Sequence, residues 1–239
     1  MTTTIHGISP IIIYESNLKN SKEIKKLFHD KFSEHGFDNQ LRDGPQGQSG
    51  MLLNGESIGK AYIHNDEDFD IFFRQLKVHI TEYLKNLGFS FEKLSYHILK
   101  SWYTVISDSD LSGMSFHHHD SGDLSFVYYV DVPENCANIR FLNQNPKNKN
   151  SIFNGIFLSG DTKKSLIRNV NNPHTTHSYP FKPKEGKLLI FPSDLEHGIE
   201  PSNNPIKRYS IAGDIKFTLK KEILDYETGL VHPSLWKEL

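Results

Sequence analysis

Residues 115–130 read SFHHHDSGDLSFVYYV, and this stretch indicates the class of fold. A polar segment with three consecutive His passes into an apolar run of β-branched and aromatic residues, which is typical of a buried β-strand. Further short runs of this kind are bounded by Gly, Pro, Asn or Asp clusters, as in an antiparallel sandwich or barrel. The predicted strands are Leu94–Ile106, 124–132, Ile139–Leu142, 187–191 and Arg208–Leu219.

In the first third of the chain, apolar residues recur at the spacing of a helix rather than that of a strand. Apolar residues recur at three-to-four spacing over residues 20–37 and 66–87, and Gly88 follows the second segment as a stop signal. A short strand at residues 11–14 precedes them. We therefore predict an α+β fold in which two helices buttress a β-sandwich. Residues 43–59 and 143–164 are predicted to be loops.

Length and composition limit the class of protein. The chain has 239 residues and a net charge of −2, which argues against binding nucleic acid or anionic membranes through bulk charge. A single Cys excludes an internal disulfide framework and a Cys-based zinc site. The chain has no apolar run of the ~18 residues that span a bilayer, and its N-terminus does not resemble a secretory signal. We expect a cytoplasmic protein without a membrane partner.

We expect one domain over residues 1–239, because β-barrels reach this length as single domains. Residues 1–90 would form the helical buttress. Residues 91–219 would form the barrel that carries the site, and residues 220–239 would form a C-terminal tail.

The three consecutive His offer two ways to present a metal-binding pair. Residues i and i+2 share one face of a strand, so His118 can point with Asp120, or His117 can point with His119. A third His, His197, follows the apolar strand at residues 187–191 after a turn. Two imidazoles and one carboxylate on one side of a metal are diagnostic of non-heme Fe(II) oxygenases.

Another strand begins ten residues or so after His197, with Arg208-Tyr209-Ser210. The combination His118-x-Asp120, His197 and Arg208-x-Ser210 resembles the Fe(II)/2-oxoglutarate-dependent oxygenase superfamily. The flanking SGDLSFVYYVDVP and GKLLIFPSDLEH are most similar to its phage and bacterial members of uncharacterised substrate. The resemblance covers residues 95–219, and the N-terminal helices carry no motif of it.

The resemblance implies a double-stranded β-helix, the jelly-roll or cupin-like barrel, with Fe(II), 2-oxoglutarate and O₂ at its site. It implies that His118, Asp120 and His197 are the metal ligands and the catalytic centre. Arg208 and Ser210 would bind the far carboxylate of 2-oxoglutarate, because a guanidinium can donate two parallel hydrogen bonds to a carboxylate. Tyr103 and Tyr129 are further candidates for this pocket.

The implied reaction is a dioxygenase reaction that converts 2-oxoglutarate to succinate and oxidises an unactivated C–H bond. Related halogenases carry Gly or Ala where Asp120 stands, so the Asp favours hydroxylation. The substrate would be an amino-acid residue or a small molecule. Sequence says nothing about the oligomeric state.

Two other functions compete with this interpretation. The pair His117 and His119 could form a three-His site with His197, as in a cupin-like metal dioxygenase or isomerase that does not need 2-oxoglutarate. Alternatively, the barrel could be a binding module without catalysis. The pairing of His118 with Asp120 is preferred because it completes the set of two His and one carboxylate.

Overall fold

A computed structural model of the protein describes residues 11–34, 62–106, 114–142, 178–200, 207–223 and 229–238. The predicted loops at 43–59 and 143–164 lie outside these residues. The described chain contains two α-helices, α1 (Ser21–Glu34) and α2 (Asp70–Asn86). Its strands are β1 (Tyr14–Asn17), β2 (Leu94–Ile106), β3 (Met114–His117), β4 (Leu124–Asp131), β5 (Ile139–Leu142), β6 (Ser178–Phe181), β7 (Lys187–Pro192), β8 (His197–Ile199) and β9 (Arg208–Leu219).

The strands form two antiparallel sheets. The larger has the order β1-β7-β4-β9-β2 and the smaller the order β3-β8-β5-β6. Most consecutive strands after β2 alternate between the sheets, so the two sheets enclose a common interior. The structure confirms the predicted α+β fold with a double-stranded β-helix. Neither described helix is long and apolar enough to cross a membrane.

Burial of β4 on both faces explains its apolar run. Phe126, Tyr128 and Val130 pack in the layer between the larger sheet and the helices, whereas Tyr129 lies in the separate core inside the barrel. Successive side chains of a strand point to opposite faces, so a strand that is buried on both faces carries apolar residues on both instead of alternating apolar and polar ones. This two-sided burial fixes which side chains of β4 can reach a site inside the barrel.

The helices cover the outer face of the larger sheet through one apolar stripe each. In α1 the buried residues are Ile24, Phe28 and Phe32, which recur every four residues and so lie on one face. Helix α2 begins at Asp70, later than predicted. A 3₁₀ turn at Glu67–Phe69 precedes it, and the Asp66 side chain accepts a hydrogen bond from the Asp68 N–H at 3.0 Å.

Close packing of β9 against β2 depends on Gly213. A Cβ atom at this position would lie 2.6 Å from the Lys100 carbonyl oxygen and 2.7 Å from Cε1 of Phe126. The strand backbone cannot give way as a flexible side chain would. Overpacking of this kind costs typically 1–3 kcal/mol, so we expect Gly213→Ala to lower the free energy of unfolding by about 2 kcal/mol in urea denaturation.

Gly229→Ala is the matched control for this substitution. Gly229 has a φ of +68°, and a Cβ atom added there would have no neighbouring atom within 4 Å, so alanine at this position meets only backbone strain. Equal urea midpoints for Gly213→Ala and the wild type would contradict the close approach of β9 to β2.

Candidate metal and carboxylate site

Three histidines converge where β3 and β8 pair inside the barrel. His117 ends β3 and lies directly opposite His197, the first residue of β8. His119 follows two residues later, and its backbone N–H donates to the Ser193 carbonyl oxygen at 2.8 Å. One ligand-capable atom of each imidazole lies within 4.8 Å of the others. These distances would allow one metal ion to contact all three side chains.

Each of these imidazoles has an acceptor at Nδ1. His117 Nδ1 lies 3.0 Å from the Ser115 carbonyl oxygen, and His197 Nδ1 lies 2.9 Å from the Leu195 carbonyl oxygen. Carbonyl oxygens only accept, so both Nδ1 atoms carry the proton. His119 Nδ1 is 2.6 Å from Oδ1 of Asp214 and donates in the same way. The three Nε2 atoms are thereby left with lone pairs for a metal.

Burial keeps His117 and His197 neutral. His197 is 8% exposed, and burial lowers its pKa to about 3. Burial also lowers the pKa of His117, although the Ser115 carbonyl partly opposes this. Neutral imidazole is the form that binds metals. The site therefore presents these two ligands in the required protonation state at neutral pH.

A pH dependence of stability follows from the low pKa of His197. In the unfolded chain its pKa is roughly 6.5, so between about pH 6.5 and pH 3 the unfolded state binds a proton that the folded state does not. Stability is fully present above this window and falls as the pH falls. For metal-free protein we expect a loss of roughly 2 kcal/mol between pH 7 and pH 5, measured by urea denaturation.

His197→Gln should remove the part of this loss that comes from His197, leaving the contributions of other histidines whose pKa burial lowers, among them His64, His79, His97 and His117. A variant that loses as much stability as the wild type over the same range would show that His197 is not the responsible group.

The structure does not bring His118 and Asp120, the preferred ligand pair, to this group. His118 Nε2 lies 2.9 Å from Asp120 Oδ1, and these side chains are 46% and 91% exposed. The reason is the local alternation of the chain. His117 faces inward at the end of β3, so His119 faces inward with it and His118 points to solvent. Of the predicted metal ligands, only His197 lies in the cluster.

The histidines lie at one side of an internal cavity. Its volume is about 60 Å³. By the same measure, a cavity needs roughly 10–15 Å³ to hold one water molecule. Arg208 and Ser210 also line it, as predicted for a carboxylate-binding pocket. Most other lining residues are apolar: Trp102, Met114, Phe126, Val127, Ile139, Phe191, Ile199 and Ala212.

Buried hydrogen-bond donors line the part of the cavity that Arg208 and Tyr129 form. Arg208 is 4% exposed, and its Nη1 donates to the Ala137 carbonyl oxygen at 2.9 Å. Within the described part of the chain, its Nε and the hydroxyl of Tyr129 have no hydrogen-bond partner. The Arg208 guanidinium carbon lies 5.5 Å from the centre of the Tyr129 ring. Buried polar groups without partners are costly, so this end suits an anionic ligand.

The two predicted tyrosines lie on opposite faces of the larger sheet. Tyr129 lines the cavity and faces Ser210 across β4 and β9. Tyr103 instead packs against Phe28 and Phe32 of α1, with ring centroids 5.0 and 5.8 Å apart. It lies in the layer between sheet and helices, which corrects its assignment to the pocket. Its neighbours in β2, Trp102 and Thr104, are the ones that line the cavity.

Asp214 is a site residue that the sequence interpretation missed. It is fully buried in β9 and contacts His119. A carboxylate between Gly213 and Ile215 in an otherwise apolar stretch of strand was the available signal, because a buried charge requires a partner. Nothing local in the sequence identified that partner, which lies 95 residues away.

Comparisons with known proteins give one family-model match and several structures of the same fold. A family model described as "Putative 2OG-Fe(II) oxygenase" matches residues 100–214, which contain the three histidines, Arg208, Ser210 and Asp214. No curated protein sequence matches the chain.

Several solved structures share the fold. The non-heme alpha-ketoglutarate-dependent carbocyclase SnoK from nogalamycin biosynthesis has a TM-score of 0.55 at 10% identity, covering 90% of this chain and 84% of that one. The nickel complex of the non-heme monooxygenase ThoJ has a TM-score of 0.53 at 10% identity, covering 92% and 82%. AviO1 from Streptomyces viridochromogenes has a TM-score of 0.52 at 8% identity, covering 90% and 92%.

At such low identity these structures establish only the fold, and the family model adds the superfamily. The family-model match over residues 100–214, together with the shared fold, supports the Fe(II)/2-oxoglutarate-dependent oxygenase superfamily, whose members are oxidoreductases that use Fe(II), 2-oxoglutarate and O₂.

Proposed function

We propose that this protein is a 2-oxoglutarate-dependent dioxygenase whose iron is held by His117, His119 and His197. The observation that carries the proposal is the convergence of three imidazoles on a cavity that is also lined by a buried Arg208, whose Nε has no partner among the described residues. The first feature suits a metal and the second suits the far carboxylate of the cosubstrate.

The donor set fits Fe(II). Imidazole nitrogen is a common ligand of iron, and three imidazoles occupy one side of the site. The set differs from two His and one carboxylate in charge. Three neutral imidazoles leave the 2+ charge of the metal undiminished, whereas a carboxylate ligand would cancel one unit. A dianionic cosubstrate complements this positive centre.

The opposite end of the cavity fits a carboxylate. Arg208 offers Nε, and Ser210 and Tyr129 line the same space with hydroxyl groups. Guanidinium and carboxylate are matched in shape and charge. A bound carboxylate would supply the missing partner of the buried Nε.

The chain's residues would have three tasks in the reaction. Bound iron and 2-oxoglutarate supply O₂ activation coupled to decarboxylation, giving succinate and CO₂ with oxidation of a substrate C–H bond. His117, His119 and His197 would hold the metal. Arg208 and Ser210 orient the cosubstrate. Apolar walls that include Trp102 and Phe191 exclude water, which limits unproductive side reactions.

Hydroxylation remains the proposed outcome, although Asp120 does not support it. The Asp120 side chain is 91% exposed and lies away from the histidine cluster. In the proposed site a third imidazole would take the place of the carboxylate ligand that halogenases lack. The proposed substrate is an amino-acid residue or a small molecule, since the net charge of −2 does not favour nucleic acid. A cytoplasmic location stays a prediction, as does the division into domain parts.

The direct test is turnover of the cosubstrate. Purified protein incubated in air with Fe(II) and 2-oxoglutarate should form succinate slowly without added substrate, and omission of iron should stop it. Absence of succinate with every substrate tried, together with no 2-oxoglutarate binding in anaerobic calorimetry, would refute the proposal.

A 2-oxoglutarate-independent three-His dioxygenase is the second candidate, and the three-imidazole set is the observation that favours it. That enzyme would oxidise its substrate without consuming 2-oxoglutarate. It would also have no need of Arg208, and the effect of substitutions there separates the two candidates.

A further inference from the structure

We propose that Asp214 is a positioning residue for the metal site, supplying through His119 the negative charge that the all-imidazole ligand set lacks. The inference rests on the proposed function, because it assigns a role in holding the same metal. Asp214 would not touch the metal or the cosubstrate.

The first support is the contact with His119. Asp214 Oδ1 lies 2.6 Å from His119 Nδ1, and its side chain is completely buried. The hydrogen bond holds the proton on Nδ1, orients the ring and makes Nε2 more basic. A carboxylate behind a ligating imidazole is a recurrent arrangement around bound metals. His117 and His197 have backbone carbonyls in this place, so within the cluster His119 carries the charged partner.

The second support is the set of contacts that hold Asp214 itself. Ser125 Oγ donates to Oδ1 at 2.7 Å, and Ser125 Oγ lies 2.9 Å from Ser193 Oγ. Lys100 Nζ lies 3.0 Å from Oδ2. These contacts hold the carboxylate in one position beside His119.

The third support is the close packing of the chain around this carboxylate. A Cβ atom on Gly122 would lie 3.1 Å from the Cβ of Asp214 and 2.6 Å from Ser193 Oγ. The backbone approaches this closely only because residue 122 has no side chain. The turn at Gly122 therefore packs directly against Asp214 and Ser193.

Asp131 is the matched control. Like Asp214 it contacts a Lys and a His: Oδ1 lies 2.9 Å from Lys25 Nζ, and Oδ2 lies 3.3 Å from His29 Nε2. This group lies at the α1 side of the larger sheet, and neither histidine nor carboxylate belongs to the metal cluster. Asp131→Asn therefore removes a comparable charge without touching the site.

The experiment compares Co²⁺ binding by metal-free wild type, Asp214→Asn and Asp131→Asn. Calorimetry should give a roughly 10–100-fold weaker dissociation constant for Asp214→Asn, the range typical for partners of metal-binding His, and an unchanged one for Asp131→Asn. The visible absorption of bound Co²⁺ at saturation should change only in Asp214→Asn, since a released His119 ring alters the ligand field. If that variant fails to fold, Ser125→Ala takes its place with a smaller loss in the same direction.

The two proposals fail in different ways. Wild-type affinity or an unchanged Co²⁺ spectrum in the Asp214 variant, with a wild type that binds metal and forms succinate, would overturn the role of Asp214 alone. A wild type that binds neither Co²⁺ nor Fe(II) would overturn both.

Discussion

His119→Ala is expected to lose metal binding almost completely. Loss of a partner behind a metal-binding His already costs roughly 10–100-fold in affinity, so loss of the ligand itself should cost at least about 100-fold. The same holds for His117→Ala and His197→Ala, because the three imidazoles belong to one group. Calorimetry of metal-free protein with Co²⁺ measures the effect, and succinate formation should disappear with it.

His118→Ala and Asp120→Ala are the matched controls for this series. They lie in the same short segment, and His118 has the same side chain as the two ligands on either side of it. Both contact solvent and one another, so Co²⁺ affinity should stay close to that of the wild type. Loss of binding in these two variants and its retention in His117→Ala and His119→Ala would reverse the assignment.

Arg208→Met is expected to have the second-largest effect. Truncating one member of a buried charge pair typically costs 2–5 kcal/mol or more, so we expect the affinity for 2-oxoglutarate to fall on the order of 100-fold or more. Co²⁺ affinity measured without cosubstrate should stay near the wild-type value, since Arg208 is not a metal ligand. Anaerobic titration with 2-oxoglutarate measures the effect.

Arg140→Met is the control for Arg208. Like Arg208, Arg140 lies in a strand, but it is only partly buried, pairs with the Glu200 carboxylate and does not line the cavity. Its substitution should leave 2-oxoglutarate binding unchanged. Full activity of Arg208→Met on a substrate, without 2-oxoglutarate consumption, would support the three-His dioxygenase that works without this cosubstrate.

The fold was largely predictable because the strands carry strong local signals. Three predicted strands, Leu94–Ile106, Ile139–Leu142 and Arg208–Leu219, have the observed bounds. Their β-branched and aromatic composition and their Gly, Pro and Asn boundaries act over a few residues, so one sequence is enough to show them. The start of α2 was predicted four residues early, because the periodicity extends through a 3₁₀ turn.

The ligand set was only partly predictable because it depends on one residue of register. Alternation along a strand pairs His117 with His119 as well as His118 with Asp120, and a one-residue shift exchanges the two faces. Chemical preference for a carboxylate ligand then favoured His118 with Asp120, the pair that the structure leaves outside the histidine cluster. The deciding contact is the opposition of His117 and His197 across β3 and β8, which joins residues far apart in the chain and leaves no local mark.

The residues predicted to bind the cosubstrate carboxylate were likewise only partly predictable from the sequence. The spacing of Arg208 and Ser210 on β9 placed both at the cavity, since residues two apart share a face. The choice between Tyr103 and Tyr129 required knowledge of which face of each strand the helices cover. Asp214 was overlooked because its role depends on His119, a partner far away in the chain.

A crystal structure of the protein loaded with metal and 2-oxoglutarate in the absence of O₂ tests the central claim most directly. We predict a metal bound to Nε2 of His117, His119 and His197, with the far carboxylate of 2-oxoglutarate on Arg208. A metal bound instead by His118 and Asp120 together with His197 would contradict the account.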